Sequence, residues 1–148
     1  MEKEIAGVKQ FSYLTSEIDG LYHEAALKCG LSDSAMRILY AICLQGEACS
    51  LGDIIKLSGI SKQTINSALR RLEGEGVLCL RPEKDGSRRK AAVLTKKGKQ
   101  LAQNTVMKIF WIENEVFAEW NDKERELYFA LTQRYYHSFK EKVGELIV

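Results

Sequence analysis

The first thirty residues carry apolar side chains at a helical spacing. These side chains are Phe11, Leu14, Ile18, Leu21 and Ala25. Successive members are three or four residues apart, which places all of them along one face of a helix. The pattern predicts a helix that packs lengthwise against another helix. We expect it to end near Gly30, since glycine commonly follows the last turn of a helix.

Residues 31–74 contain three shorter amphipathic segments, each preceded by a serine. Serine is favoured just before a helix because its side chain accepts a hydrogen bond from a free amide of the first turn. We therefore predict helices over residues 33–44, 51–57 and 62–73, beginning after Ser32, Ser50 and Ser61. Ser50 and Asp53 have the spacing of a capping box. A glycine-containing turn at residues 58–60 joins the last two helices, as in a helix-turn-helix unit.

A basic hairpin is predicted next. Residues 77–80 and 91–94 are apolar and suited to two antiparallel strands, and Asp85-Gly86 marks the turn between them. Pro82 limits how far the first strand can pair. A two-stranded hairpin is not stable alone, so it must pack on the helices before it. Its tip is rich in lysine and arginine, which is typical of a wing.

Two further helices are predicted in the last third of the chain. Thr95 caps a long helix that runs to about Glu115, and Asn121 with Glu124 offers a capping box for the final helix. The final helix carries an apolar stripe at Leu127, Leu131, Tyr135, Phe139 and Val143. The expected fold class is mainly α with a small β-hairpin wing (α+β), in a single domain over residues 1–148.

The distribution of charge points to a polyanion. The chain has a net charge of only +2, but residues 61–99 hold eleven Lys or Arg against four acids, a local charge of +7. The rest of the chain carries −5. Such a concentration of positive charge suggests a contact with nucleic acid, and a solvated lysine-rich surface is the alternative.

Location is inferred from the start of the chain and from its hydropathy. The segment Met1-Glu2-Lys3-Glu4 carries both signs of charge, unlike a signal peptide. No apolar run approaches the roughly 18 residues of a membrane span. We expect a cytoplasmic protein with no membrane partner.

The helix over residues 62–73 has one apolar and one polar face. Its apolar stripe is Ile65, Ala68, Leu69 and Leu72. At 100° per residue, the opposite face presents Gln63, Asn66, Ser67 and Arg70. Amides, a hydroxyl and an arginine, without a carboxylate among them, are the side chains that read base edges and phosphates. This face is the predicted recognition surface.

The central motifs resemble the MarR family of winged helix-turn-helix regulators. They are Ser61-Lys62-Gln63-Thr64, Leu72-Glu73, Gly76-Val77-Leu78, Arg88 and Leu94-Thr95-Lys96-Lys97-Gly98, in this order. The resemblance covers about residues 31–101. One feature departs from the family, whose wing usually has Asp-x-Arg: here Asp85 lies three residues before Arg88, and Gly86 stands in the expected place.

The resemblance implies a homodimeric repressor that binds a pseudo-palindromic double-stranded DNA operator and is released by a small-molecule effector. Residues 31–100 would form the DNA-binding lobe, and residues 1–30 and 101–148 would form dimerisation helices. The expected DNA contacts are Ser61, Lys62, Gln63, Thr64, Asn66, Ser67, Arg70, Lys84, Arg88, Arg89 and Lys90. The aromatic candidates for an effector pocket are Tyr22, Tyr40, Phe110 and Trp111, with core packing as the alternative role. No cofactor or metal is expected.

Other classes of function have less support in the sequence. No nucleophile elbow, phosphate loop, zinc-protease motif or dinucleotide fingerprint is present, so we do not expect an enzyme. Two histidines far apart offer few metal ligands. A winged helix used only for protein contacts is disfavoured by the basic stretch. A thiol-based redox sensor of the same fold is the main alternative. Cys43 and Cys79 are expected in the core, whereas Cys29 and Cys49 lie at helix ends and are the candidates for an exposed thiol.

Overall fold

The computed structural model describes residues 3–84 and 86–148. Within these residues, seven helices and three strands follow in the order α1 (Val8–Lys28), α2 (Asp33–Leu44), β1 (Ala48–Ser50), α3 (Leu51–Ser58), α4 (Lys62–Gly74), β2 (Leu78–Pro82), β3 (Lys90–Leu94), α5 (Lys96–Asn104), α6 (Val106–Ala118) and α7 (Asp122–Gly144). The chain divides into two compact units, Met1–Phe110 and Trp111–Val148, which are described separately below. The mainly helical fold with a small sheet is as predicted.

Side-chain caps start the helices where the sequence predicts them. Ser32 and Ser50 each accept a hydrogen bond of 3.1 Å from the amide three residues later, and Ser61 accepts one of 3.3 Å. Thr95 caps α5 through the amide of Gly98 at 3.0 Å. These bonds satisfy amides that have no partner within the helix. The local sequence therefore determines where these helices begin.

The core of the first unit surrounds α2. Contacts of α2 extend to α1, α3, α4, α5, β1 and β3. Its inward side chains Ile38, Leu39 and Ile42 are completely buried. Ile54 of α3 and Ile65 of α4 are buried against them in the same cluster. Burial of this apolar face holds α3 and α4 in place, so the polar face of α4 is directed outward.

The sheet has one strand more than the sequence analysis predicted. β1 pairs antiparallel with β3, which also pairs antiparallel with β2, so the order is β1-β3-β2. Cys49 lies in β1 opposite Ala92 and is only 3% exposed. Cys49 is therefore not an exposed thiol, and its candidacy for one is wrong. The reason is that the backbone before α3 is extended and pairs with β3, and the Cys49 side chain belongs to the buried core cluster.

The prediction of one long helix after Thr95 is also wrong, because the helix is interrupted at Thr105. The backbone there has φ −129° and ψ −90°, which ends α5, and α6 starts at the next residue. The Thr105 hydroxyl donates to the carbonyl of Leu101 at 2.6 Å, the acceptor that its own amide would use in a continuous helix. Threonine side chains compete with helical hydrogen bonds in this way.

The second unit is organised around the start of α7. Asn121 and Glu124 form the predicted capping box. Arg125 donates hydrogen bonds to the carbonyls of Phe117 and Trp120 and pairs with Asp122. The aromatic rings of this unit pack on one another at the turn, with centroids 5.0 to 6.0 Å apart between Phe117, Trp120, Tyr128 and Phe129.

The outer helices expose their predicted apolar stripes. On α7 the stripe residues are all about half exposed, and no described residue of this helix is buried. On α1 the side chains of Phe11, Leu14, Ile18 and Leu21 are likewise exposed, and Ala26 is the buried residue. Among the described residues, none of the helices combines the length and apolar character that a membrane span requires.

Candidate nucleic-acid interface

The polar face of α4 lies in solvent, as the periodicity predicts. Gln63, Asn66 and Arg70 are exposed, while Ile65 and Leu69 on the opposite side are buried. Packing of the apolar stripe on α2 fixes this orientation. A helix exposed in this manner has the width to enter the major groove of B-DNA.

Ser67 shares the exposed face, but part of its hydrogen-bonding capacity is used within the helix. Its hydroxyl donates to the carbonyl of Gln63 at 3.2 Å. In this arrangement Ser67 offers only an acceptor to a base edge, whereas Gln63, Asn66 and Arg70 retain donors.

The start of α4 is fixed by two hydroxyl groups. The Ser61 hydroxyl donates to Oγ1 of Thr64 at 2.9 Å and accepts from the Thr64 amide at 3.3 Å. Lys62 is exposed in the same turn. A helix N-terminus carries a partial positive charge, so this turn is suited to a phosphate.

The wing is the connection between β2 and β3 together with Lys90, the first residue of β3. The amide of Glu83 donates to the carbonyl of Arg89 at 2.8 Å, and the amide of Ser87 donates to the carbonyl of Lys84 at 2.9 Å. These bonds extend the hairpin beyond its strands. The basic side chains Lys84, Arg88, Arg89 and Lys90 are exposed. Asp85 lies outside the described residues, so the prediction about its displaced position stays a prediction.

A groove of about 590 Å³ brings the wing and the start of α4 together. Its described lining includes Lys62 from α4 and Arg88, Arg89 and Lys90 from the wing. The first residues of α3, including Asp53, form another wall, and Glu83 also contributes. Four cations from two elements thus face one concave surface. Lys84 does not line this groove.

The candidate effector residues are only partly brought together. The rings of Tyr40 and Phe110 lie 6.4 Å apart, centroid to centroid, and line a pocket of about 140 Å³. The other described lining residues are Cys43, Leu44 and Met107. Tyr22 on α1 and Trp111 at the start of the second unit are not among them. Cys43 and Leu44 follow Tyr40 by three and four residues, a spacing that could have identified them from the sequence.

Two cysteines of the first unit are held in the protonated form. Burial raises the pKa of the Cys49 thiol to about 11, and the nearby Asp53 carboxylate adds to the shift. Burial also raises the pKa of Cys43, with a smaller contribution from Glu47. Reactive sensor thiols have lowered pKa values, so neither environment favours a redox switch. Among the described residues, no group of three or more His, Cys, Asp or Glu side chains is arranged to hold a metal ion.

Comparisons with known proteins agree with this geometry. A MarR family model matches residues 30–89, which hold α2 to α4, β1 and β2. No curated protein sequence matches the chain. A MarR family regulator from Neisseria meningitidis is 19% identical and superimposes with a TM-score of 0.81, over 95% of this chain and 99% of that chain.

Two other solved structures are similar. S. aureus MepR in its DNA-binding conformation is 21% identical, with a TM-score of 0.73 over 87% of this chain and 98% of that chain. Bordetella bronchiseptica BpsR, whose DNA binding is regulated by 6-hydroxynicotinic acid, is 23% identical, with a TM-score of 0.62 over 84% and 97%. At these identities the likeness concerns the fold. The sequence match over residues 30–89 and the shared fold make this chain similar to the proteins of the MarR family.

Proposed function

We propose that the protein is a transcriptional repressor that acts in the cytoplasm as a homodimer on a pseudo-palindromic double-stranded DNA operator. One observation carries the proposal: the groove in which Lys62 at the start of α4 faces Arg88, Arg89 and Lys90 of the wing. Cations converging from two elements fit a phosphate backbone, and the adjacent polar face of α4 fits base edges. Regulation of transcription, rather than catalysis, is the role these features support.

The proposed division of labour follows the two kinds of side chain. Gln63, Asn66, Ser67 and Arg70 would read bases in the major groove, since amides pair with adenine and arginine with guanine. Ser61, Lys62 and Thr64 would anchor a phosphate at the start of α4. Lys84, Arg88, Arg89 and Lys90 would follow the backbone or the minor groove. The DNA-binding lobe would comprise residues 31–100, and the helices on either side would form the dimer.

Salt dependence of DNA binding tests the role of the wing. Each lost phosphate contact lowers the slope of log affinity against log salt by roughly 0.9. We expect the double variant Arg88→Ala/Arg89→Ala to bind every sequence more weakly and with a flatter slope. The double variant Lys123→Ala/Lys142→Ala, which removes the same charge from α7, is the control and should keep the wild-type slope. An unchanged slope in the wing variant would contradict the proposal.

We further propose a small-molecule effector that binds beside Tyr40 and Phe110. The two rings and the apolar side chains around them form a pocket within the first unit, where a ligand would contact both α2 and α6. Regulation of the similar protein BpsR by 6-hydroxynicotinic acid supports an effector that is a small aromatic molecule. The described residues lining the pocket include no charged side chain, and the raised pKa of Cys43 indicates that negative charge is disfavoured there. An uncharged aromatic effector therefore fits best.

Two compounds that differ in charge test whether the effector is uncharged. We expect 4-hydroxyphenylacetamide, which is uncharged, to raise the Tm and weaken DNA binding more than 4-hydroxyphenylacetate, because at equal concentration the ligand that binds the native state more tightly stabilises it more. The variant Phe110→Ala should lose the response. A response that survives in this variant would place the effector elsewhere.

A further inference from the structure

The end of the recognition helix is attached to the first turn of α5. Three consecutive carbonyl groups follow α4, and each accepts a hydrogen bond from this turn. Lys97 Nζ donates to the carbonyl of Glu75 at 2.7 Å, and the Thr95 hydroxyl donates to that of Gly76 at 2.6 Å. The Thr95 amide donates to the carbonyl of Val77 at 3.1 Å. Carbonyls at a helix C-terminus lack partners within the helix and carry partial negative charge, so an ammonium group is favourable there.

Gly98 allows this close approach. A Cβ atom at this position would lie 1.8 Å from the carbonyl oxygen of Val77 and 2.9 Å from its carbon. Both are backbone atoms, which cannot move aside as a flexible side chain could. The amide of Gly98 also donates to the Thr95 hydroxyl at 3.0 Å, so one side chain caps α5 and holds the end of α4. Any larger residue would separate the two elements.

We infer that Thr95, Lys97 and Gly98 are positioning residues for DNA recognition, which fix the orientation of α4 relative to α5. Lys97 belongs by sequence to the basic stretch over residues 61–99, but its ammonium group is directed at the end of α4. Its charge therefore serves the recognition helix and not a DNA phosphate. This inference rests on the proposed DNA-binding function.

Lys97 provides the cleanest test because its side chain is exposed and its removal leaves no cavity. The variant Lys97→Met keeps the aliphatic stem and loses the donor. With the end of α4 released, we expect DNA affinity to fall about fivefold or more, consistent with the loss of one charged hydrogen bond. The slope against log salt should stay at the wild-type value, in contrast to that of Arg88→Ala/Arg89→Ala. Lys97→Arg, which retains a charged donor, should recover most of the affinity.

Amide hydrogen exchange provides a readout that does not depend on DNA. Residues 75–80 should exchange faster in Lys97→Met than in wild type or Lys97→Arg, because the carbonyls that hold this segment lose a partner. Thr95→Val should have the same effect, and Thr95→Ser should not. Unchanged exchange in Lys97→Met overturns the inference, as does a salt slope reduced by about 0.9, which would mark a phosphate contact. Altered exchange in a protein whose wild type binds no DNA would instead refute the proposed function.

Discussion

Glu47 has a backbone conformation that its side chain disfavours. Its φ is +79°, in the left-handed region, where it follows Gly46. The turn that brings the chain from α2 into β1 requires this conformation, and the Glu47 carbonyl accepts from the Leu94 amide at 3.0 Å. The carboxylate pairs with Lys99 at 3.0 Å, with both side chains about half exposed. An exposed ion pair contributes little, whereas a residue with a Cβ in this region costs about 1–2 kcal/mol.

Glycine at position 47 is therefore expected to stabilise the fold. The gain should be below about 1 kcal/mol, because glycine also loses more chain entropy on folding. Urea unfolding at one protein concentration measures the free energy of unfolding. The control Glu47→Ala loses the ion pair but retains the Cβ, so it should be no more stable than wild type. A Glu47→Gly protein less stable than Glu47→Ala would show that the chain entropy of glycine outweighs the relief of backbone strain, which would contradict the prediction.

At the scale of elements, caps and periodicity were sufficient to predict most helices and the exposed face of α4. Ser32, Ser50 and Ser61 each act through a hydrogen bond to an amide three residues away, so the information is local. β1 could not be predicted in this way, because three residues have no recognisable period and the strand exists only through pairing with β3. The break at Thr105 also depends on a choice between two competing hydrogen bonds, which periodicity does not resolve.

The candidate nucleic-acid interface could also be predicted only in part from the sequence. The residues that face outward on α4 follow from the buried stripe on the same helix. The groove between α4 and the wing depends on how the hairpin packs, so the sequence could not indicate that Lys62 would line it and Lys84 would not. Likewise, nothing in the spacing of Lys97 distinguishes its contact with Glu75 from a phosphate contact.

The burial of Cys49 in β1 leads to a testable prediction about the reactivity of its thiol. With its pKa raised to about 11, only about one molecule in a thousand carries the reactive thiolate at pH 8. In the native protein, maleimide labelling at pH 8 should therefore be much slower at Cys49 than in urea. The pKa of Cys49 is higher in the folded than in the unfolded state. The stabilisation from its protonated thiol is therefore fully present below about pH 9 and is lost as the pH rises towards 11. Rapid native labelling at Cys49 would contradict the burial of β1.

At the scale of the whole molecule, the apolar stripes on α1 and α7 are exposed in the single chain. Exposed apolar patches of more than a few hundred Å² are rare on monomeric proteins. We therefore expect sedimentation at micromolar concentration to give about twice 16.8 kDa. The variant Leu131→Lys should shift the protein towards monomer, while the control Gln133→Lys, two residues along α7, should not. A wild-type protein that remains monomeric when concentrated would exclude the dimer.

Selection of preferred sites from a random DNA library most directly tests whether α4 reads DNA. The wild-type protein should enrich two symmetric half-sites about one helical turn apart, as a two-fold dimer requires. Gln63→Ala and Arg70→Ala should each lose preference at particular base positions in both half-sites, because a good bidentate pair contributes roughly 1–3 kcal/mol of discrimination. An unchanged motif with uniformly weaker binding, or no enriched motif for the wild type, would contradict base reading by this helix.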